Sequence, residues 1–217
     1  MNTLKDLITP SGKWTDVSAI IFDVFGTIAE ITAPQHAYAE LLKELKNVGY
    51  EPNKDKKWDI LTKNMTFKEA IELFDVDKKL SSQVKEKLQL VLDSEVNSIE
   101  LYDDVEPVFK FLIDREIGVA LCSNLAQPFA NKIIELLKDV RPDALVWSFE
   151  QNIAKPHPKM FLSACEKMGV EPKRVVMVGN SQKNDIDAAN NAGIEAIKIV
   201  RSENGLKSSK KSYLKFR

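Results

Sequence analysis

Five short apolar runs, most of them β-branched, punctuate this chain, and helical patterns fill most of the intervals between them. The runs are Ser18–Phe22 (SAIIF), Ile117–Cys122 (IGVALC), Ala144–Trp147 (ALVW), Val175–Val178 (VVMV) and Ala196–Val200 (AIKIV). A strand with one face in water alternates apolar with polar. A run that is apolar almost throughout is buried on both faces, the environment of a parallel strand. Between the runs, Pro107 opens a predicted helix with Val108, Phe109, Leu112 and Ile113 inward. Phe129, Ile133, Ile134, Leu136 and Leu137 mark a second. Pro158 precedes a third, which Gly169 stops, and Ile186, Ala189 and Ala192 form a fourth, ended by Gly193. Strands alternating with helices at this spacing predict right-handed βαβ units and a mainly parallel sheet, an α/β, Rossmann-like core.

One stretch breaks the alternation. From about Ala33 to Ile99 the pattern is helical, with stripes at Tyr38, Leu41, Leu42 and Leu45, at Phe67, Ala70, Ile71 and Phe74, and at Val84, Leu88, Val91, Leu92 and Val96. Pro52 and the charged run Asn53–Lys57 separate the first two stripes. Packing explains the stripes themselves. A helical block inserted directly after the first strand belongs over the carboxyl ends of the strands, where open α/β sheets bind ligands and where a lid would sit. The expected division is residues 1–32 and 100–217 as the catalytic core and residues 33–99 as a helical cap.

Composition limits what the chain can do. A formal net charge of −1 argues against broad electrostatic binding to nucleic acid or an anionic membrane. No apolar run is long enough to span a bilayer, and MNTLKDLITPSGKW has no signal-type apolar stretch. Cys122 and Cys165 lie in apolar segments without metal-ligand spacing and read as reduced core residues of a cytoplasmic protein. The Lys- and Ser-rich tail Ser202–Arg217 reads as a solvated end.

Four loops bring polar groups to one edge of the predicted sheet. In Asp23-Val24-Phe25-Gly26-Thr27, a carboxylate directly after a buried strand is rigidly aimed, as an in-line nucleophile must be. Gly26 lets the chain turn sharply, and the Thr27 hydroxyl can hold the Asp23 carboxylate or a substrate oxygen. Ser123-Asn124 can donate hydrogen bonds to an anion, or cap the helix that follows. Lys155, before a turn stiffened by Pro156 and Pro158, is a fixed cation that can orient Asp23. The loop Gly179-Asn180-Ser181-Gln182-Lys183-Asn184-Asp185 offers a second acid, Asp185, which as a plain helix-start acid would face the helix dipole instead.

In this order the motifs FDVFGT, SN, KPHPKMF and VGNSQKND resemble the four signatures of the haloacid dehalogenase-like superfamily, over roughly residues 17–31 and 103–201. The helical block resembles the cap of its capped members. The resemblance implies Asp23 as covalent nucleophile, Thr27 beside it, Ser123 as substrate-anchoring hydroxyl, Lys155 as orienting cation and Asp185 as distal acid. Two positions depart from the phosphatases of that superfamily. Phe25 stands where they carry an acid that protonates the leaving group, and Asn180 stands where they carry an anionic magnesium ligand. Both changes point towards the metal-independent 2-haloacid dehalogenase branch, with Phe25 and Asn124 lining the substrate. Against that branch, residues 33–99 contain no arginine, and the VGNSQKND loop looks more like a phosphatase.

Three readings stand at this point. One is a dehalogenase-like hydrolase of a small 2-substituted carboxylic acid. Another is a magnesium-assisted phosphatase with impaired acid catalysis. The last is a silent member that binds a ligand through its cap. A small-molecule substrate is expected, and neither nucleic acid nor membrane. Either no cofactor is required, or Mg2+ binds weakly at Asp23, the Phe25 carbonyl and Asn180.

Overall fold

The computed structural model describes residues 3–7, 16–74 and 79–201; the tail Ser202–Arg217 lies outside them. Its centre is a parallel sheet of five strands: β1 (Ala19–Phe22), β4 (Gly118–Ser123), β5 (Ala144–Trp147), β6 (Val175–Gly179) and β7 (Glu195–Lys198), in the order β5-β4-β1-β6-β7. These are the five apolar runs of the sequence, each shifted by two residues at most. The strand carrying the first motif is central, with Ala19 opposite both Gly118 and Val175. The α/β, Rossmann-like architecture read from the sequence is therefore the one observed.

Side chains of successive strand residues leave on opposite faces, and each face has its own core. Ile20, Phe22, Val119, Leu121, Val176 and Val178 belong to one cluster. Ala19, Ile21, Ala120, Cys122, Val175 and Met177 belong to the other. Helices α5 (Val105–Ile113) and α6 (Gln127–Leu136) pack with the first, and α8 (Lys159–Met168) and α9 (Ala188–Asn191) with the second. Burial on both faces explains why β1, β4 and β6 read as unbroken apolar runs. Cys122 and Cys165 are buried in the second cluster and both are free.

Helices α1 (Ala37–Asn47), α2 (Lys54–Thr62), α3 (Phe67–Glu72) and α4 (Ser82–Asn97) occupy the interval between β1 and β4. They leave and rejoin the core through an antiparallel ribbon, β2 (Ala29–Ile31) with β3 (Ile99–Leu101).

Several local expectations need correction. Ile99 lies in β3, not in a helix. The charged run after Pro52 is the start of α2, whose first turn is capped when the Asn53 side chain accepts a hydrogen bond from the Lys56 amide. Pro107 does not open α5 but sits third in it, and Ile113 is 43% exposed rather than inward. Ile134 of α6 is likewise exposed. Both exposed isoleucines sit towards the ends of short helices, where the apolar stripe is wider than the surface available to cover it.

Candidate active site

Asp23 follows β1 directly, Ser123 ends β4, and Asp185 lies in a π-helical turn, Gln182–Asp187, just after β6. Lys155 does not follow a strand directly: a short helix, α7 (Ser148–Gln151), intervenes after β5. All four side chains converge at the carboxyl edge of the sheet. The Lys155 ammonium donates to Asp23 Oδ1 at 2.7 Å and to Asp185 Oδ1 at 2.6 Å. The Ser123 hydroxyl donates to Asp23 Oδ1 at 3.0 Å. The other carboxylate oxygen, Asp23 Oδ2, receives the Thr27 hydroxyl at a long 3.5 Å. Asp23 thus has one oxygen pinned and one comparatively free.

Two glycines make this approach possible. Gly26 has φ +78°, and a Cβ there would stand 2.0 Å from Asn180 Nδ2. At Gly179 a Cβ would meet the Asp185 side chain at 2.4 Å. A side chain at Gly26 would press the first loop against Asn180 of the fourth, and one at Gly179 would displace Asp185 within the fourth loop.

The other side chains singled out in the sequence do more holding than reaching. Asn124 lines the cavity, but its amide clamps the backbone of Lys155, accepting from the Lys155 N–H at 2.7 Å and donating to the Lys155 carbonyl at 2.8 Å. This is how a lysine outside any strand becomes as fixed as one at a strand end. Ser181 caps the turn that carries Asp185, accepting from the Asn184 amide at 3.2 Å, and the Ser181 N–H donates to Asp185 Oδ2 at 2.8 Å.

The cluster is nearly sealed: Asp23 is 7% exposed, Ser123 3%, Lys155 4% and Asp185 1%. Two carboxylates share one ammonium, so with all three ionised the buried group would carry one net negative charge. Burial raises the Asp23 pKa above the usual carboxylate range; Lys155 opposes this, and the neighbouring Asp185 adds to it. For Lys155, burial disfavours the cation, but Asp185 and Asp23 outweigh it, and its pKa lies above the ordinary lysine value. Cys122, within β4, is pushed up to about 12 by burial and stays a thiol.

The weak magnesium set named from the sequence is Asp23, the Phe25 carbonyl and Asn180. Two of the three meet each other instead, because Asn180 Nδ2 donates to the Phe25 carbonyl at 3.2 Å. Lys155 already bridges the two carboxylates. Among the described residues, no group of three or more His, Cys, Asp or Glu side chains could hold a metal ion. As arranged, this donor set does not fit a divalent cation, which prefers anionic oxygen in a near-octahedral shell.

The cluster opens into a cavity of about 700 Å³. Its floor is Asp23, Ser123, Lys155 and Asp185. Its far wall comes from the helical segment: His36, Tyr38, Trp58, Ile60 and Glu95. Phe25 belongs to the cavity and packs edge-on against Phe129, with ring centroids 6.0 Å apart. His36, Trp58 and Glu95 were not anticipated. Trp58 sits in a charged stretch of α2, and only its 44% exposure on a helix facing the site marks it. Glu95 breaks the α4 stripe, a signal that could have been read. It is 4% exposed, and its carboxylate accepts from the His36 and Ala37 amides at 3.0 and 2.8 Å, closing the start of α1.

Comparison with known proteins places this arrangement. A family model described as haloacid dehalogenase-like hydrolase matches residues 17–193. The glyceraldehyde 3-phosphate phosphatase of Methanopyrus kandleri is 34% identical over 114 residues, 51% of this chain and 48% of that protein. The chain spans about half the length, or less, of the curated relatives it matches. Among solved structures, a HAD phosphatase from Thermococcus onnurineus superposes with a TM-score of 0.58 at 25% identity, over 88% of this chain and 89% of that one. A 2-haloacid dehalogenase from Pseudomonas syringae pv. Tomato DC3000 superposes with a TM-score of 0.57 at 20% identity, over 84% and 86%. At that identity the second likeness shows a shared fold alone. No helix among the described residues is long and apolar enough to cross a membrane.

Proposed function

The chain belongs to the haloacid dehalogenase-like hydrolases, and from that premise we propose that it hydrolyses a small organic monophosphate, ester or acyl phosphate, through a covalent intermediate on Asp23, without a tightly bound metal. The observation that carries this reading is the asymmetry of Asp23. Oδ1 is held by Lys155 and Ser123, which leaves Oδ2 as the attacking atom. The phosphate assignment leans on the curated relative, a phosphatase, and on the VGNSQKND loop. In the first step Oδ2 attacks phosphorus and the leaving-group oxygen departs with the bonding pair. In the second, water attacks the same phosphorus, freeing Asp23 and releasing phosphate. Lys155 offsets the charge gathered at the centre, and the helices from α1 to α4 act as a cap that lines the pocket.

Phe25 donates no proton, so a leaving group that is stable as an anion is favoured: an acyl or aryl phosphate over an alkyl one. A second reading has a specific observation behind it. The aromatic wall of Phe25 and Phe129 suits a carbon centre, and the Asn180 amide on the Phe25 carbonyl suits chemistry that needs no metal. Asp23 would then displace halide from a 2-haloacid, and water would hydrolyse the resulting ester.

One panel separates these readings. Phosphate release from acetyl phosphate, 4-nitrophenyl phosphate and glycerol phosphate, and chloride release from 2-chloropropionate, are followed in EDTA and in Mg2+. The expected result is phosphate release that persists in EDTA and falls in that order. Chloride without phosphate transfers the assignment to the dehalogenase reading, and neither product leaves a binding protein. Asn180→Asp frees the Phe25 carbonyl and adds a charge, so calorimetry should detect Mg2+ binding that is tighter than in wild type by about tenfold or more.

A further inference from the structure

A charged side chain outside the cluster with several partners is Arg201, just beyond β7. Its side chain is 13% exposed. Nε donates to the Thr27 carbonyl at 3.0 Å, and a terminal nitrogen, Nη2, donates to the same oxygen. The other, Nη1, pairs with Asp104 Oδ2 at 2.7 Å, an oxygen that also accepts the Leu4 amide at 2.7 Å. The guanidinium plane lies over the Tyr102 ring, 4.1 Å from its centroid.

The positions of these partners give the arrangement its meaning. Thr27 closes the nucleophile loop and stands two residues before β2; Tyr102 and Asp104 stand directly after β3. Arg201 therefore grips the chain on both sides of the ribbon through which the helical segment joins the core. The Tyr102 amide donates to the Ile28 carbonyl at 3.1 Å, so the two grips are themselves tied. Thr27 is fully buried, and its hydroxyl faces the free oxygen of Asp23 at 3.5 Å. Two N–H donors of one rigid guanidinium converge on this carbonyl, which holds its position more firmly than a single donor would.

We propose that Arg201 is a positioning residue. Through the Thr27 carbonyl it sets the aim of Asp23 Oδ2, and through Tyr102 and Asp104 it couples that aim to the ribbon carrying the helical segment. This inference rests on the reading of Asp23 as nucleophile. A one-ångström error in an attacking oxygen is enough to cost a large factor in rate, so a clamp on its loop acts on turnover before it acts on binding.

The experiment compares wild type with Arg201→Met, which keeps the stem and loses the donors, and with Arg201→Lys, which keeps the charge and loses the fork. With acetyl phosphate, kcat is expected to fall about tenfold or more in Arg201→Met, with KM within about twofold, and Arg201→Lys should lie between. Amide exchange supplies a readout independent of any substrate. The Gly26 and Thr27 amides, bonded to the Ala29 and Val24 carbonyls, should exchange faster in Arg201→Met relative to those of β1. A folded Arg201→Met with wild-type kcat and unchanged loop exchange overturns the inference. So does a rate loss that cooling abolishes in step with recovered stability. If Arg201→Met does not fold, the kcat and loop exchange of Arg201→Lys decide in the same way. If wild type releases neither phosphate nor chloride, the functional reading falls, and the exchange data alone judge Arg201.

Discussion

The two walls of the cavity are built on different principles. The sheet-edge wall is polar and over-determined. Lys155 meets both carboxylates, Asn124 holds the Lys155 backbone, and Ser181 holds the turn under Asp185. The helical wall is mixed and, Glu95 apart, less tightly specified. Trp58 is 44% exposed, and the Tyr38 hydroxyl is buried with no hydrogen-bond partner among the described residues, while its ring packs on Phe67 and Phe129. A wall in which each polar contact supports another keeps one geometry, as in-line attack requires. A wall of rings on short helices can be re-shaped one residue at a time. On the proposed function, chemistry and substrate preference fall to different walls.

The largest expected effect tests whether the polar wall is chemical at all. Asp23→Asn should lower turnover by on the order of 10³-fold or more, because an amide does not attack. Stability should move the other way. The folded protein binds the Asp23 proton more tightly than the unfolded chain, so this group favours folding most at low pH. That contribution is lost as pH rises through the raised folded pKa. At pH 7 the ionised group is a cost that asparagine removes, leaving Lys155 and Asp185 as a balanced pair. Thermal unfolding at pH 7 should show a Tm equal to or above that of wild type, and a marked drop would contradict this account.

Next comes Lys155→Met. It leaves two buried carboxylates without a cation and should cost about 3–5 kcal/mol in denaturant unfolding, together with a loss in kcat of about 10²-fold. A variant as stable as wild type would mean that the wall is not over-determined by charge. Asp185→Asn should have a subtler signature. Activity requires ionised Asp23, so the acid limb of the kcat/KM profile should lie above the ordinary carboxylate range in wild type. Removing the second carboxylate takes away one cause of the rise, and the limb should shift to lower pH. A limb that stays in place would show that Asp185 does not act on Asp23 through its charge.

The smallest effect comes from the opposite wall. Tyr38→Phe deletes an unpaired hydroxyl and should be neutral or stabilising by up to about 1 kcal/mol, a Tm rise of roughly 2–4 °C for a chain of this size. A clear loss of stability would mean that this hydroxyl is bonded after all, and the contrast between the walls would weaken.

Much of the polar wall was legible because three of its members, Lys155 excepted, sit at a fixed offset from an element whose pattern is local. Asp23 follows SAIIF, Ser123 follows IGVALC, and the glycine of VVMVG opens the turn to Asp185. The helical wall was less legible because its members are set by which faces the helices present, and that is decided by packing. Tyr38 read as core, Trp58 was hidden in the polar stretch of α2, and Glu95 read as an interruption of a stripe, though it caps the start of α1 from 58 and 59 residues away.

By itself the sequence determined what short-range physics can encode. Runs apolar at every position are buried on both faces, so the parallel sheet and its five strands followed. Residues at the ends of those strands share an edge, so the polar cluster followed. The tertiary structure alone decided what depends on pairing distant segments. The β2–β3 ribbon has three residues a side, too few to show a period, and exists only because its halves meet across the whole helical segment. Asn180 faces the Phe25 carbonyl, and Arg201 grips Thr27 from 174 residues away. Each of these is one polar contact between loops. Such contacts leave no periodic trace along the chain, because their energy comes from the burial and direction of a hydrogen bond that exists only once the core has brought the loops together.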